Sequence, residues 1–97
     1  MAGYIGEYIS NKTVELKTWT LLSSLITWKT GNGFTNGKKY AIFNNSPTTI
    51  RFISNNSPLE SQFGTVMSQG STIYYRPDRA ENIYVKGTNF NLVISEL

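Results

Sequence analysis

The 97-residue chain contains no cysteine and no histidine. Without cysteine it has no disulfide, no thiolate nucleophile and no cysteine-based zinc site. Without histidine it lacks the base of Ser-His-Asp and Cys-His catalysis and the usual imidazole metal ligand. No apolar run approaches the roughly 20 residues that cross a bilayer, and no signal peptide opens the sequence. We therefore predict that the protein is not an enzyme, uses no cofactor or metal, and has no membrane partner.

Charged residues are also scarce, at 15% of the chain against a typical ~25%. The formal net charge is +3, and the Lys and Arg residues are scattered rather than clustered. Because nucleic-acid affinity rises with the number of phosphates neutralised, this pattern disfavours a nucleic-acid partner. A surface with few charges and many side-chain amides instead favours assembly or ligand binding.

The six carboxylates are spread along the sequence rather than grouped in a motif. Any two of them can be imagined as a glycosidase-like pair, but scattered acids on a small domain usually do no more than face solvent. The segment 31–33 lacks the third glycine and the following helix of a phosphate-binding loop. We therefore predict no catalytic residue among Glu7, Glu15, Glu60, Asp78, Glu81 and Glu96.

Small polar residues fill about a third of the chain, with 11 Thr, 10 Ser and 10 Asn, whereas alanine occurs three times. From residue 39 onward, short segments of alternating polarity are each followed by a turn rich in Asn, Pro or Gly. Closely spaced strands of this kind are typical of sandwiches and small barrels. We predict an all-β fold, a small antiparallel β-sandwich or jelly-roll-like barrel. Its predicted strands are residues 39–43, 48–54, 62–67, 72–76, 82–86 and 90–95.

The first third of the chain has a less regular pattern. Residues 1–12 place Gly3 and Gly6 among large apolar residues, and they predict an extended N-terminal arm that docks on the domain or on a neighbouring subunit. Residues 13–97 then form a single domain. Within it, residues 13–30 fit either one helical face or two strands, and their β-branched and Trp content favours two strands with Ser23–Ser24 between them. Residues 31–37 predict a loop.

The alternation of the strands predicts which side chains form the core. The sequence Asn-Asn-Ser-Pro also occurs twice, at 44–47 and 55–58, and predicts two similar turns. The predicted core residues are Leu16, Trp28, Ile42, Ile50, Phe52, Val66, Ile73, Ile83, Val85, Leu92 and Ile94.

Arg51, Tyr74 and Tyr84 lie opposite the predicted core positions of their strands. Aromatic rings at such positions can bind sugars or bases by stacking, which is worth ~1–3 kcal/mol per base. They can equally pack under the arm or under a second sheet. The sequence leaves both readings open and makes these three residues a candidate ligand platform.

The second half of the chain has a distinctive order of strands and turns. It runs through Tyr40-Ala41-Ile42-Phe43, Asn44-Asn45-Ser46-Pro47, Thr49-Ile50-Arg51-Phe52-Ile53, Gly70, Ile73-Tyr74-Tyr75, Asn82-Ile83-Tyr84-Val85-Lys86-Gly87 and Leu92-Val93-Ile94-Ser95-Glu96. In this order, residues 39–97 resemble the small β-sandwich virion proteins of tailed bacteriophages. Residues 1–38 do not take part in the resemblance.

The resemblance implies a non-enzymatic structural role in a virion assembled in the bacterial host cytoplasm. It implies a capsid decoration (cement) protein, or else a head-fibre, neck or tail component. Its partners would be the major capsid protein or other virion proteins, and it would form a homo-oligomer, with a trimer favoured. Such a protein stabilises the particle because it binds the assembled lattice. We expect the subunit or capsid contacts to come from Tyr4, Ile5, Tyr8, Ile9 and Trp19.

Two other functions remain as alternatives. The first is a carbohydrate-binding β-sandwich module, for example in a tail or fibre, with Tyr74, Tyr84 and Trp19 stacking on sugar rings. The second is a single-strand nucleic-acid binder that uses Tyr74 and Tyr84 together with Arg51 and Lys86, and its binding would weaken steeply with salt.

Overall fold

The computed structural model describes residues 3–31, 33–55, 57–78 and 82–97. Within these ranges the chain forms nine strands and one helical turn. The elements are β1 (Gly3–Ile9), β2 (Glu15–Leu21), α1 (Leu22–Leu25), β3 (Thr27–Trp28), β4 (Tyr40–Asn44), β5 (Ile50–Asn55), β6 (Thr65–Met67), β7 (Thr72–Tyr75), β8 (Asn82–Thr88) and β9 (Asn91–Glu96).

The strands form two antiparallel sheets. The first sheet has the order β3-β1-β9-β4-β7, and the second has the order β2-β8-β5-β6. Each sheet keeps two edge strands, so the fold is an open sandwich and not a closed barrel. The predicted all-β antiparallel sandwich is confirmed.

The core lies between the sheets and is formed by the inward residue of each alternating pair. Six predicted core residues are buried there: Ile42, Ile50, Ile83, Val85, Leu92 and Ile94. Four more are partly buried at its margin: Leu16, Trp28, Phe52 and Ile73. The core also contains residues outside the predicted set: Ile5, Leu22, Ile26, Tyr40, Met67, Tyr75 and Phe90.

The prediction that Val66 is a core residue is wrong. On β6, Met67 is buried and Val66 is exposed. Because the side-chain period of a strand is two, a shift of one residue exchanges the two faces completely. The strand spans only Thr65–Met67 where the sequence predicted 62–67, and three residues are too few for the alternation to establish which face points inward.

Residues 3–9, which were predicted as part of a separate arm, are an inner strand of the first sheet. β1 pairs with β9 on one side and with β3 on the other. Ile5 belongs to the core, and its carbonyl accepts hydrogen bonds from the backbone nitrogens of Lys29, at 2.7 Å, and Thr30, at 3.2 Å. The segment is extended as predicted, but it completes the domain's own sheet. Residues 1 and 2 lie outside the described residues.

The ambiguous segment 13–30 contains two strands, as favoured from its composition. The predicted break at Ser23–Ser24 is the helical turn α1, whose Leu22 is fully buried between the sheets. No helix in the described part of the chain is long and apolar enough to span a bilayer.

The loop between β3 and β4 closes one end of the sandwich. Phe34 packs edge-on against the rings of Trp28, Tyr40 and Tyr75, with centroids 4.9 to 5.2 Å apart. The backbone nitrogen of Thr35 donates a 2.7 Å hydrogen bond to the Tyr40 hydroxyl. Asn32 of the predicted loop lies outside the described residues.

Candidate functional site

The five residues predicted to contact other subunits do not share one surface. Tyr4 and Ile9 point outward from the first sheet and are exposed. Ile5 is buried in the core, and Tyr8 packs against it. Trp19 is buried on the far side of the molecule, beneath a loop of its own chain. Tyr4 and Ile9 are thus the two of this set that a partner can reach without disturbing the core.

The candidate ligand platform is likewise divided between the sheets. Tyr74 lies on β7 of the first sheet, whereas Arg51 and Tyr84 lie on β5 and β8 of the second. Arg51 pairs with Lys86, and Ile53 pairs with Tyr84, so Arg51 and Tyr84 are diagonal neighbours on the outer side of their sheet. One sugar or base therefore cannot contact all three residues of the platform.

The outer side of the first sheet carries an apolar surface, which we call the open face. Strand register aligns it in two rows. The first row is Tyr4, Ser95, Ala41 and Tyr74, and the second is Glu7, Val93, Phe43 and Thr72. Ile9 extends the apolar area along β1. The open face is defined by Tyr4, Ile9, Ala41, Phe43, Tyr74 and Val93.

Charged groups flank the tyrosines at both ends of the first row. The Tyr4 hydroxyl donates a 2.7 Å hydrogen bond to Glu7 Oε1, and this bond raises the pKa of the phenol above its ordinary value. Lys29 Nζ lies 5.1 Å from the Tyr4 ring centroid, and Lys39 Nζ lies 5.8 Å from that of Tyr74. The open face thus has an apolar centre and a rim that carries both signs of charge.

The outer side of the second sheet is partly covered by residues 57–64, between β5 and β6, which we call the strap. Trp19 holds it in place. The indole nitrogen of Trp19 donates to the Gln62 carbonyl at 3.3 Å, and its backbone nitrogen donates to Glu60 Oε2 at 3.1 Å. The backbone nitrogen is available because β2 bulges at this point and departs from its ladder with β8.

A buried lysine completes the anchor of the strap. Lys86 is 8% exposed, and its Nζ lies 3.1 Å from Glu60 Oε1. The same nitrogen donates to the Glu60 carbonyl at 3.2 Å and lies 4.7 Å from the Trp19 ring centroid. The charge of Lys86 is therefore compensated where it is buried, and removal of the Glu60 carboxylate would leave a buried ammonium group without its counter-ion.

Replacing Gly64 with alanine is expected to loosen the strap and to lower the free energy of unfolding by about 2 to 3 kcal/mol. Gly64 has a φ of +75°, and a Cβ there would lie 2.5 Å from Trp19 Cη2 and 2.6 Å from the Phe52 carbonyl oxygen. Gly70 is a matched control, since its φ is +80° but a Cβ would meet nothing within 4 Å. Gly70→Ala should lower the free energy of unfolding only by the backbone strain of an alanine at positive φ, about 1 kcal/mol. Urea denaturation of both variants measures the difference, and equal losses would contradict the packing role of Gly64.

Beside the strap, the second sheet forms a cleft of about 340 Å³. Its walls come from β2, β5 and β8, so neighbouring strands hold its side chains at fixed spacings. Three cationic side chains and one carboxylate line it together with threonines and backbone. The lining residues are Glu15, Leu16, Lys17, Thr49, Ile50, Arg51, Lys86, Gly87 and Thr88.

Most described carboxylates have a structural use. Glu7 accepts from Tyr4, Glu60 binds Lys86, and Glu96 lies 3.5 Å from Lys38 Nζ. Among the described residues, acidic side chains do not gather in groups of three or more that could hold a metal ion. Glu81 lies outside the described residues.

Sequence reasoning missed the strap and the cleft. Lys86 and Glu60 are far apart in the sequence, and Glu60 lies in a segment with no strand pattern. The glycine after Phe63 was the one local signal, because a glycine with positive φ permits a close approach of backbone to another side chain. No family model, curated protein or solved structure matches this chain.

Proposed function

We propose that this protein is a non-enzymatic structural component of a bacteriophage virion, of the capsid decoration or cement type, and that it binds neighbouring subunits through the open face. The proposal is carried by one observation, the apolar outer side of the first sheet. An antiparallel sheet with one side in water normally has polar residues on that side. Here Phe43 and Tyr74 occupy outward positions and are 36% and 67% exposed.

The size of the molecule bears on the extent of this interface. The molecule measures 33 × 26 × 20 Å along its principal axes. The two longer axes enclose an outline of roughly 850 Å², of which the six residues of the open face cover a part. A standard interface buries roughly 800 Å² per partner, so a contact of that size would extend beyond these six residues.

The charges at the rim favour a second copy of the same chain as the occupant. Glu7 and Lys29 lie at one side of the face, and Lys39 lies at the other. Two such faces can meet with opposite charges opposed, which avoids like-charge repulsion. Exposed tyrosines and phenylalanine are also residue types enriched in interfaces. We therefore propose a homo-oligomer that docks on capsid subunits. Contact of the open face with itself joins two copies, and the trimer favoured by the resemblance would need a second contact surface.

Changing both Phe43 and Tyr74 to lysine is expected to dissociate this oligomer. The two substitutions would bury ammonium groups in an apolar contact, which is costly without a partner charge. Sedimentation velocity across a concentration series should give a mass above the 10.9 kDa monomer for the wild type and the monomer mass for the variant. Both side chains are outward, so thermal unfolding of the variant should change little.

Leu59 provides the control for this experiment. It is as exposed as Tyr74, at 67%, but it lies on the strap. Leu59→Lys should leave the oligomer intact. A wild-type protein that is monomeric at every concentration would contradict contact between copies, and dissociation by Leu59→Lys would show that the open face is not the contact.

The virion role is tested on particles. Phage particles from a lysate of the host are purified on a density gradient, and peptides of this chain are sought in them by mass spectrometry. We expect the chain in a fixed ratio to the major capsid protein. The variant with lysine at positions 43 and 74, supplied in place of the wild type, should be lost from the particles. Absence of the wild-type chain from the particles would overturn the proposal.

A further inference from the structure

The cleft in the second sheet is a surface separate from the open face. The two lie on opposite sides of the sandwich, so an inference about the cleft does not depend on the proposed function. The cleft volume of about 340 Å³ falls at the lower end of the ~300–1,000 Å³ of small-molecule sites. A ligand that fills it would be the size of one or two sugar rings.

Arg51 is the strongest ligand-binding group of the cleft. Its guanidinium lies 4.7 Å from the Phe63 ring centroid, and its Nη1 lies 3.4 Å from the Phe63 carbonyl oxygen. A guanidinium has five donors, and this long contact engages one of them. The contacts with the Phe63 ring and carbonyl restrain the guanidinium, and its remaining donors can bind a carboxylate in the bidentate manner.

The other charges of the cleft are divided between bound and available groups. Lys86 is held by Glu60 and is compensated. Lys17 is exposed, and within the part of the chain that the structure describes it has no ion-pair partner. Glu15 lies two residues before Lys17 on the same side of β2, and it too has no such partner there. The cleft therefore offers a net positive charge together with one carboxylate acceptor.

Phe63 restrains Arg51 from outside the cleft. The ring is 63% exposed, so it contributes little to the core. It lies beneath the guanidinium of Arg51 and does not belong to the residues that line the cleft.

We infer that this cleft binds an acidic saccharide. The carboxylate of a uronic acid residue binds Arg51 and Lys17 through charge-assisted hydrogen bonds. The sugar hydroxyls donate to Glu15. The ligand must combine one anionic group with several hydroxyl donors, because the cleft combines cations with a carboxylate.

Other ligand chemistries match these groups less well. A phosphate or sulfate ion brings negative charge but no donor for Glu15, and the two anions would repel each other. A neutral sugar satisfies Glu15 but leaves the positive charges of Arg51 and Lys17 unused. The carboxylate of the sugar is therefore the feature that the inference requires.

The test is calorimetric titration of the full chain with a trisaccharide of galacturonic acid. The matched ligand is the corresponding trisaccharide of galactose, which carries CH₂OH in place of each carboxylate. Inorganic phosphate is the third probe. We expect saturable binding of the acidic trisaccharide that weakens with added salt, and at least about tenfold weaker binding of the neutral one.

Variants locate the binding. Arg51→Gln should weaken binding of the acidic trisaccharide about tenfold or more, and Lys17→Gln about threefold. Arg51→Lys keeps the positive charge but loses the planar guanidinium with its paired donors, and it should give an intermediate affinity. Arg76→Gln is the control, because Arg76 is exposed just beyond β7 in the first sheet. Thermal unfolding of each variant verifies that the fold is kept.

Each other outcome overturns the inference. Absence of saturable binding would show that the cleft is not a saccharide site. Equal affinity for the neutral trisaccharide would exclude recognition of the carboxylate. Binding of phosphate with the same affinity would identify the cleft as a general anion site. An effect of Arg76→Gln equal to that of Arg51→Gln would place the binding elsewhere.

Discussion

Deletion of residues 1–12 is expected to leave the chain unfolded. The deletion removes β1, an inner strand, and leaves β3 and β9 with unpaired backbone groups. It also removes Ile5 from the core and the carbonyl that accepts from the backbone nitrogens of Lys29 and Thr30. The free energy of unfolding of a small domain is only about 5–15 kcal/mol, and the loss of a whole inner strand exceeds it. Far-ultraviolet circular dichroism and amide proton dispersion measure the result.

A pair of glycine variants tests the same strand without truncation. A Cβ on Gly6 would lie 2.7 Å from Ile26 Cγ2 and 3.0 Å from the Thr27 carbonyl oxygen, whereas a Cβ on Gly3 would meet nothing within 4 Å. Gly6→Ala is therefore expected to lower the free energy of unfolding by about 2 kcal/mol or more, and Gly3→Ala by less than about 0.5 kcal/mol. A folded deletion variant with wild-type melting would show that residues 3–9 are an appendage after all.

Gly6 also shows why this strand was predicted as an arm. Glycine weakens a strand in isolation, so local propensity counts against one. In the folded chain, the missing side chain of Gly6 is what lets β1 approach β3. That requirement arises from a neighbour some twenty residues away, and it is invisible until the pairing is known. The later strands were predictable because β4, β8 and β9 each bury alternating residues.

The positions of the candidate functional residues were likewise predictable only in part from the local sequence. Alternation predicted that Arg51, Tyr74 and Tyr84 lie opposite the core, and in the structure each occupies an outward position. Alternation carries no information about which sheet a strand joins. The strand orders place β7 in one sheet with β5 and β8 in the other, and this separates Tyr74 from its predicted companions. Trp19 is covered for the same reason, since the strap reaches it from another part of the sequence.

Replacing Asn44 with alanine is expected to lower the free energy of unfolding by about 3 to 5 kcal/mol, more than any other single substitution considered in this chain. Asn44 is fully buried at the end of β4. Its Nδ2 donates to the carbonyls of Met67, at 2.9 Å, and Ser68, at 3.2 Å, and its Oδ1 accepts from the backbone nitrogen of Ser46 at 3.0 Å. Alanine would remove the side-chain partner of the Met67 carbonyl and of the Ser46 nitrogen, whereas the Ser68 carbonyl keeps the bonds that it accepts from the backbone nitrogen and the hydroxyl of Ser71. The melting temperature should fall by at least about 12 °C.

The second Asn-Asn-Ser-Pro sequence supplies the control within the same chain. Asn55 Oδ1 accepts from the backbone nitrogen of Ser57 at 3.4 Å in a solvent-exposed hydrogen bond, and Asn55 itself is half-buried. Asn56 of this copy lies outside the described residues. Asn55→Ala should cost less than about 1 kcal/mol, because water can replace the partner of an exposed group. If both substitutions lowered the free energy of unfolding equally, the stabilisation by Asn44 would come from the turn and not from its burial.

Asn44→Asp tests the two hydrogen bonds that Asn44 donates separately from the one that it accepts. The carboxylate keeps an oxygen for Ser46 but directs a second oxygen at the carbonyls of Met67 and Ser68, where Nδ2 donated before. Burial would favour the protonated carboxyl, which raises the pKa of this aspartic acid in the folded state above its unfolded value. The folded state then binds more protons than the unfolded state, so the variant becomes less stable as the pH rises from mildly acidic to neutral. Urea denaturation at the two pH values should show a larger loss at neutral pH for Asn44→Asp and no such dependence for Asn44→Ala. A pH-independent loss for the aspartate variant would mean that the side chain at position 44 had turned away from the two carbonyls.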